Sequence, residues 1–337
     1  MNTKYRKKIS IGYNGKKDFF DQIILPYKYY ISSVYTAPPT SMNIASSRAV
    51  PHVTKEEMLD LRKRLKKEKI EFNLVFNFDG IDDPKIIKTL LLSADYFKPD
   101  LITLNGTYVL DSFLKITKYK LNISIINDIN SLNQLDQLLE RDLKGNYIVS
   151  YNIGRRKTFD PKYIKSVRSR YPKLRLKLMV NEGCIFECPD QNFHSCSNTM
   201  RKKDHPSDRI FYCQKFESPE HWRFLTGQYI PPKFLSNYCD LVDEFKIASR
   251  GSYYAGMDTT TVVELLKEYI EERDISIKRA MLSSYGGTYF AQSYFKNNPE
   301  SEKGNYSKTY PDDFFKVRSK CKHNCYDCGY CRDILDS

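Results

Sequence analysis

Phe72-Asn-Leu-Val-Phe-Asn-Phe78, Pro84–Phe97 and Leu101-Ile-Thr-Leu-Asn105 follow one another along the chain and decide the fold. Two short strand-like runs flank a segment in which Ile86, Ile87, Leu90, Leu91 and Ala94 recur at helical spacing. The unit is β-α-β, and it repeats in both directions. The other strand candidates are Ile9–Asn14, Tyr29–Tyr35, Ile123–Asn127, Tyr147–Asn152, Leu174–Asn181 and Glu244–Arg250, which makes eight in all. Thr54-Lys-Glu-Glu57 is a capping box ahead of Met58, Leu61 and Leu65. Ser131–Leu143 and Thr259–Glu272 carry further apolar stripes. Eight β-α units with short connections predict an α/β fold, a (β/α)8 TIM-like barrel with its helices outside. No G-x-G-x-x-G follows the first strand, which disfavours an open dinucleotide-binding sheet.

Such a barrel places its chemistry at the C-terminal ends of the strands. Six of the eight strands close on an amide: Asn14, Asn77, Asn105, Asn127, Asn152 and Asn181. They predict a ring of hydrogen-bonding groups at the mouth, although asparagine is also a common turn residue. Two connections are long. Thr36–Val53 follows the second strand. A Cys-rich insertion, 182–243, follows the seventh. Long loops in compact domains are usually functional. The expected division is a barrel over 1–296 and a linker with a Cys-rich extension over 297–337, where the polar run Asn297–Ser307 suits a surface connection and makes the extension separable.

The 337 residues carry a formal net charge of +13, which suits a polyanionic partner such as RNA but also follows from a Lys- and Asn-rich composition. At 41% hydrophobic residues the chain can bury a large core. No apolar run is long enough to span a membrane, and no secretory signal is visible, so a cytoplasmic protein is expected.

All nine cysteines lie beyond residue 183: five between 184 and 239, four between 321 and 331. Clustering at short spacing is what metal ligation requires, and a disulfide framework does not suit a chain without a secretion signal. The first group contains Cys184-x3-Cys188 and Cys196, with Cys213 and Cys239 downstream and His194 nearby. Five thiols compete for the four places of a [4Fe–4S] cluster, with zinc as the alternative. The second group, Cys321-x3-Cys325-x2-Cys328-x2-Cys331, can close a second cluster by itself, or a zinc knuckle. Its first three members also have the spacing of radical S-adenosylmethionine enzymes. That motif follows a first strand and has an aromatic before its last Cys, where this chain has Asp327. H-E-x-x-H, the commonest zinc-protease pattern, is absent.

Asn181-Glu-Gly-Cys184-x3-Cys188-Pro, the downstream Cys213 and Phe245-Lys246-Ile-Ala-Ser-Arg250 together resemble the collagenase-like peptidase family, peptidase family U32, over roughly residues 9–275. Ala248-Ser249 departs from the family's Glu-Gly before the arginine, and the C-terminal cysteines are additional. The resemblance implies a barrel holding a [4Fe–4S] cluster, with Cys184, Cys188, Cys213 and Cys239 matching the family's ligands and Cys196 as rival for the last place. It also implies oxygen-independent hydroxylation of RNA bases or a quinone precursor rather than proteolysis. The resulting expectation is an oxygen-sensitive redox or modification enzyme with two clusters. Asn181, Lys246 and Arg250 are its expected catalytic residues, and Lys246 and Arg250 face a small anionic substrate or RNA. The alternatives are an electron-transfer or scaffold subunit for a partner protein, and a zinc-stabilised RNA-binding module.

Overall fold

The computed structural model describes residues 7–39, 53–77, 84–116, 118–186, 188–189, 222–249, 257–284, 295 and 305–336. Eight parallel strands close a barrel in sequence order: β1 Ile9–Gly12, β2 Ile31–Thr36, β3 Glu71–Phe76, β4 Leu101–Leu104, β5 Leu121–Ile123, β6 Ile148–Asn152, β7 Arg175–Met179 and β8 Glu244–Ile247. β1 pairs with both β2 and β8, which completes the ring. The expected TIM-like barrel is therefore present. Among the described residues no helix is long and apolar enough to cross a membrane.

The outer helices form where the apolar stripes are. α1 (Lys55–Lys67) starts at Thr54, whose hydroxyl accepts from Glu57 N while the Glu57 carboxylate accepts from Thr54 N. Met58, Leu61 and Leu65 are buried beneath it. α2 (Pro84–Phe97), α3 (Thr107–Ile116), α4 (Leu132–Leu139), α5 (Pro161–Arg170) and α6 (Thr259–Glu271) repeat the arrangement. The fifth strand lies two residues earlier than the apolar run suggests. Ser124 caps a tight turn over Ile125–Asn127, and Asp128 ends it at a left-handed φ of 45°.

Alternation along the strands sorts the side chains. One set, including Ile11, Val34, Leu74, Leu104, Leu176 and Ile247, joins the main apolar core with the helices. The other set faces the barrel interior and is polar. Ser33 Oγ donates to Glu244 Oε1 at 2.8 Å and accepts from Ser10 Oγ at 2.7 Å. Asn122 Nδ2 donates to Thr103 Oγ1, which donates on to Asn73 Oδ1, both at 2.9 Å. At the strands' N-terminal end, Lys177 Nζ pairs with Glu244 Oε2 at 2.5 Å, and both side chains are buried. Arg175 Nη2 crosses the interior to Glu71 at 2.8 and 3.0 Å. An ion-pair cluster therefore plugs one end of the barrel and leaves the C-terminal end for the site.

Candidate metal centre at the barrel mouth

β7 runs into the first cysteine group through a tightly held turn. Val180 N donates to Lys246 O at 3.0 Å, and Ile230 N donates to Val180 O at 2.8 Å. Asn181 is fully buried and spends its amide on the end of β8: Nδ2 donates to Ala248 O, and Oδ1 accepts from Ala248 N, both at 2.8 Å. That makes it a clamp between β7 and β8. Most of the asparagine ring behaves alike. Asn14 Nδ2 donates to Met257 O, Asn127 Nδ2 to Leu104 O and Asn152 Nδ2 to Ile123 O. These amides stitch strand ends together, where backbone groups beyond the last ladder bond need partners. Glu182 pairs with Arg155 Nε at 3.2 Å, both buried, and ties the ends of β6 and β7.

Cys184 and Cys188 follow, both half-buried. The Cys184 carbonyl rests against Gly227, where a Cβ would come within 2.8 Å of it and 2.9 Å of the Phe224 carbonyl. Only glycine permits that approach.

The C-terminal segment comes back to this loop. Phe314 and Phe315, in a short helix Phe314–Arg318, pack on Phe159, Phe234 and Tyr238, with Tyr238–Phe315 centroids 5.3 Å apart. Arg318 Nη2 donates to Thr226 O at 2.6 Å and Gly227 O at 2.9 Å. His323 adopts a left-handed φ of 59°, and its ring stacks on Phe186 at 3.4 Å and 8°. Phe186 lies inside Cys184-x3-Cys188, and His323 lies inside Cys321-x3-Cys325. The two cysteine groups, far apart in sequence, thus meet at one edge of the barrel mouth. This packing seats the C-terminal segment against the barrel.

Cys321, Cys325, Cys328 and Cys331 line one cavity of about 630 Å³ together with Arg318 and His323. Burial pushes the Cys331 thiol up to about 12; Arg318 opposes the rise, and the other three cysteines add to it. Cys325 is raised by burial first and by Cys321 next. The thiols are therefore within electrostatic reach of one another. The His323 backbone N–H donates to Cys321 Sγ at 3.3 Å, a contact that favours a thiolate. Among the described residues no three His, Cys, Asp or Glu side chains converge as one bare metal ion would need. The donor set suits a soft metal or cluster.

Cys239 does not belong to the barrel-mouth set. It precedes β8, and burial raises its thiol, with Glu272, Lys7 and Asp240 as its charged neighbours. Lys7 in turn binds Ile270 O at 2.8 Å and Glu272 at 2.6 Å, at the end of α6. This is the strands' N-terminal face. Cys184 and Cys188 lie at the other end, about 13 Å away along a four-residue strand. Sequence position alone suggested grouping it with them; the strand's direction sets Cys239 at the opposite end of the barrel. Cys196, Cys213, His194 and Arg250 lie outside the described residues. Lys246 is buried in the upper interior with Nζ 4.4 Å from the Tyr35 ring centroid. Sequence reasoning passed over Arg318 and Gln228. The aromatic pair just before Arg318 was the available sign that this segment enters the core.

No family model matches the chain. It is 27% identical over 292 residues to an uncharacterized protease, MJ1657, of Methanocaldococcus jannaschii, covering 82% of this chain and 80% of the relative. Its fold is similar to the solved U32 peptidase Mk0906, with a TM-score of 0.50 at 11% identity over 75% of this chain and 96% of that one. The structural likeness shows the fold they share.

Proposed function

We propose that this chain is an iron–sulfur-dependent redox or modification enzyme acting on a polar or anionic substrate at the barrel mouth. The observation that carries the reading is the Phe186–His323 stack, which joins two cysteine groups at the catalytic end of a barrel. Cys184 and Cys188, with Cys196 and Cys213 from the same insertion, would hold one [4Fe–4S] cluster. Cys321, Cys325, Cys328 and Cys331 would hold a second. Four thiols around one cavity are the donor set of a cluster, which fills the space between its ligands. Such clusters supply one-electron transfer. The chain supplies Lys246 and Arg250 for an anionic substrate and a rigid collar of strand-end asparagines.

The relatives' names speak of proteolysis. A nucleophilic mechanism needs a base beside the nucleophile and a group to orient it. Among the described residues His323 is the one histidine. Its ring is stacked on Phe186, and burial, helped by Arg318 and Lys157, lowers it to about 4, a poor base at neutral pH.

Single variants test the assignment. Cys184→Ala and Cys188→Ala, purified anaerobically, should each lose about half of the iron, and Cys331→Ala about the other half. Cys239→Ala should keep all of it. Full iron in both Cys184→Ala and Cys188→Ala would place the cluster elsewhere.

A further inference from the structure

A second cavity, of about 460 Å³, opens on the same face. Its walls are the turns after β5 and β6, with Asn130 and Arg155–Lys157, then Phe186 and Gln228, and the C-terminal Arg318–Cys321. Three of its five cations have carboxylate partners. Arg155 meets Glu182 at 3.2 Å, Arg156 meets Asp128 at 3.3 Å, and Lys157 meets Asp160 at 2.9 Å. Arg318 and Lys320 have none among the described residues.

Arg318 is only 2% exposed. Its Nη2 reaches the Thr226 and Gly227 carbonyls, but Nε and Nη1 have no hydrogen-bond partner among the described residues. Gln228 is equally buried, and neither Nε2 nor Oε1 has a partner there. Buried polar atoms without partners are rare in folded proteins, and a buried charge without a counter-charge is costly. Here both kinds line one cavity where Asp160, the one carboxylate among its described lining residues, is already held by Lys157. The unmet needs are specific. Arg318 has N–H donors left over on two edges of its guanidinium, and its charge suits an anionic oxygen acceptor such as a carboxylate or phosphate. Gln228 requires a neighbour that can both donate and accept. A cavity of this size is in the range that takes small molecules.

We infer that this cavity is a binding site for a small oxyanion-bearing ligand, whose phosphate or carboxylate is held by Arg318 and Lys320 and whose adjoining hydroxyl or amide group meets Gln228. The site needs no iron and is separate from Lys246 inside the barrel. The C-terminal segment is then part of a binding pocket as well as a cysteine carrier.

The test titrates full-length, anaerobically purified protein at low salt with inorganic phosphate and, separately, with malonate, read by calorimetry and by melting temperature. One anion should bind once per chain with Kd below about 1 mM and raise Tm. Phosphate assigns a phosphoryl ligand, malonate a carboxylate. Arg318 also supports the fold through Thr226 and Gly227, so the deciding variant is Gln228→Leu. It removes two unpaired polar atoms, and the free variant should melt at or above wild type. It should bind the preferred anion at least tenfold more weakly, and Lys320→Ala several-fold more weakly. Undiminished binding by Gln228→Leu, or no binding of either anion by wild type, overturns the inference.

Discussion

A chain ended at Phe315 should fail to give soluble, folded protein. Removing residues 316–337 takes away Arg318, which is 2% exposed, lies 4.9 Å from the Phe159 ring and ties down the Thr226 and Gly227 carbonyls. It takes away buried Ile334, and Tyr330, Cys331 and Leu335 packed on the same core. It uncovers Trp222, which stands edge-on to Tyr326 with Arg332 over its ring. Each large apolar side chain left in water costs about 1.5–3 kcal/mol, and several together approach the 5–15 kcal/mol that holds a whole domain. The measurement is soluble yield and a circular-dichroism melt beside the full chain. Cys325→Ser/Cys328→Ser, which keeps these contacts, should stay soluble and so separate lost packing from lost metal. A soluble truncated barrel with the full chain's melting temperature would contradict the packing described.

Lys177→Met should destabilise the protein by about 3–5 kcal/mol in urea unfolding, because it leaves the Glu244 carboxylate buried without its cation. Burial alone would push Glu244 up, but Lys177, Arg175 and Ser32 outweigh it and hold the group below its ordinary value. A depressed carboxyl stabilises the fold above the unfolded pKa, about 4.3, and loses that contribution as pH falls through the lower folded value. Without Lys177 the burial effect prevails and the sign reverses, so the gap between variant and wild type should begin to narrow above about pH 4.3, as the variant's raised carboxyl takes up its proton, and go on closing below it as the wild type loses its own contribution. Lys177→Met/Glu244→Gln should recover part of the loss. A cost under about 1 kcal/mol for Lys177→Met would show that Glu71 and Arg175 suffice to compensate Glu244.

The barrel was legible because period carries it. Helical stripes such as Ile87, Leu90 and Ala94, and the box from Thr54 to Glu57, act within one element and need no tertiary knowledge. The polar interior was legible in principle. Lys177 and Glu244 alternate with Leu176, Leu178 and Phe245, but a buried ion pair depends on which strands neighbour one another. The strand-end asparagines were visible, whereas their use on backbone groups was not, since Asn181 meets Ala248 across 67 residues. Cys239 misled because linear distance from Cys184 says nothing about which end of a strand each occupies. The tail looked like an extension because its linker is polar, while the aromatics that anchor it, Phe314 and Phe315, meet Phe159 and, from a second part of the chain, Phe234 and Tyr238.

Iron and acid-labile sulfide analysis of the full chain, purified without oxygen and checked by its visible absorption spectrum, bears most directly on the proposed chemistry. Two four-iron clusters require about eight iron and about eight sulfide per chain, and a broad absorption near 400 nm that bleaches on reduction is expected with them. Stoichiometric zinc without sulfide, or protein free of both metals, would contradict an iron–sulfur enzyme.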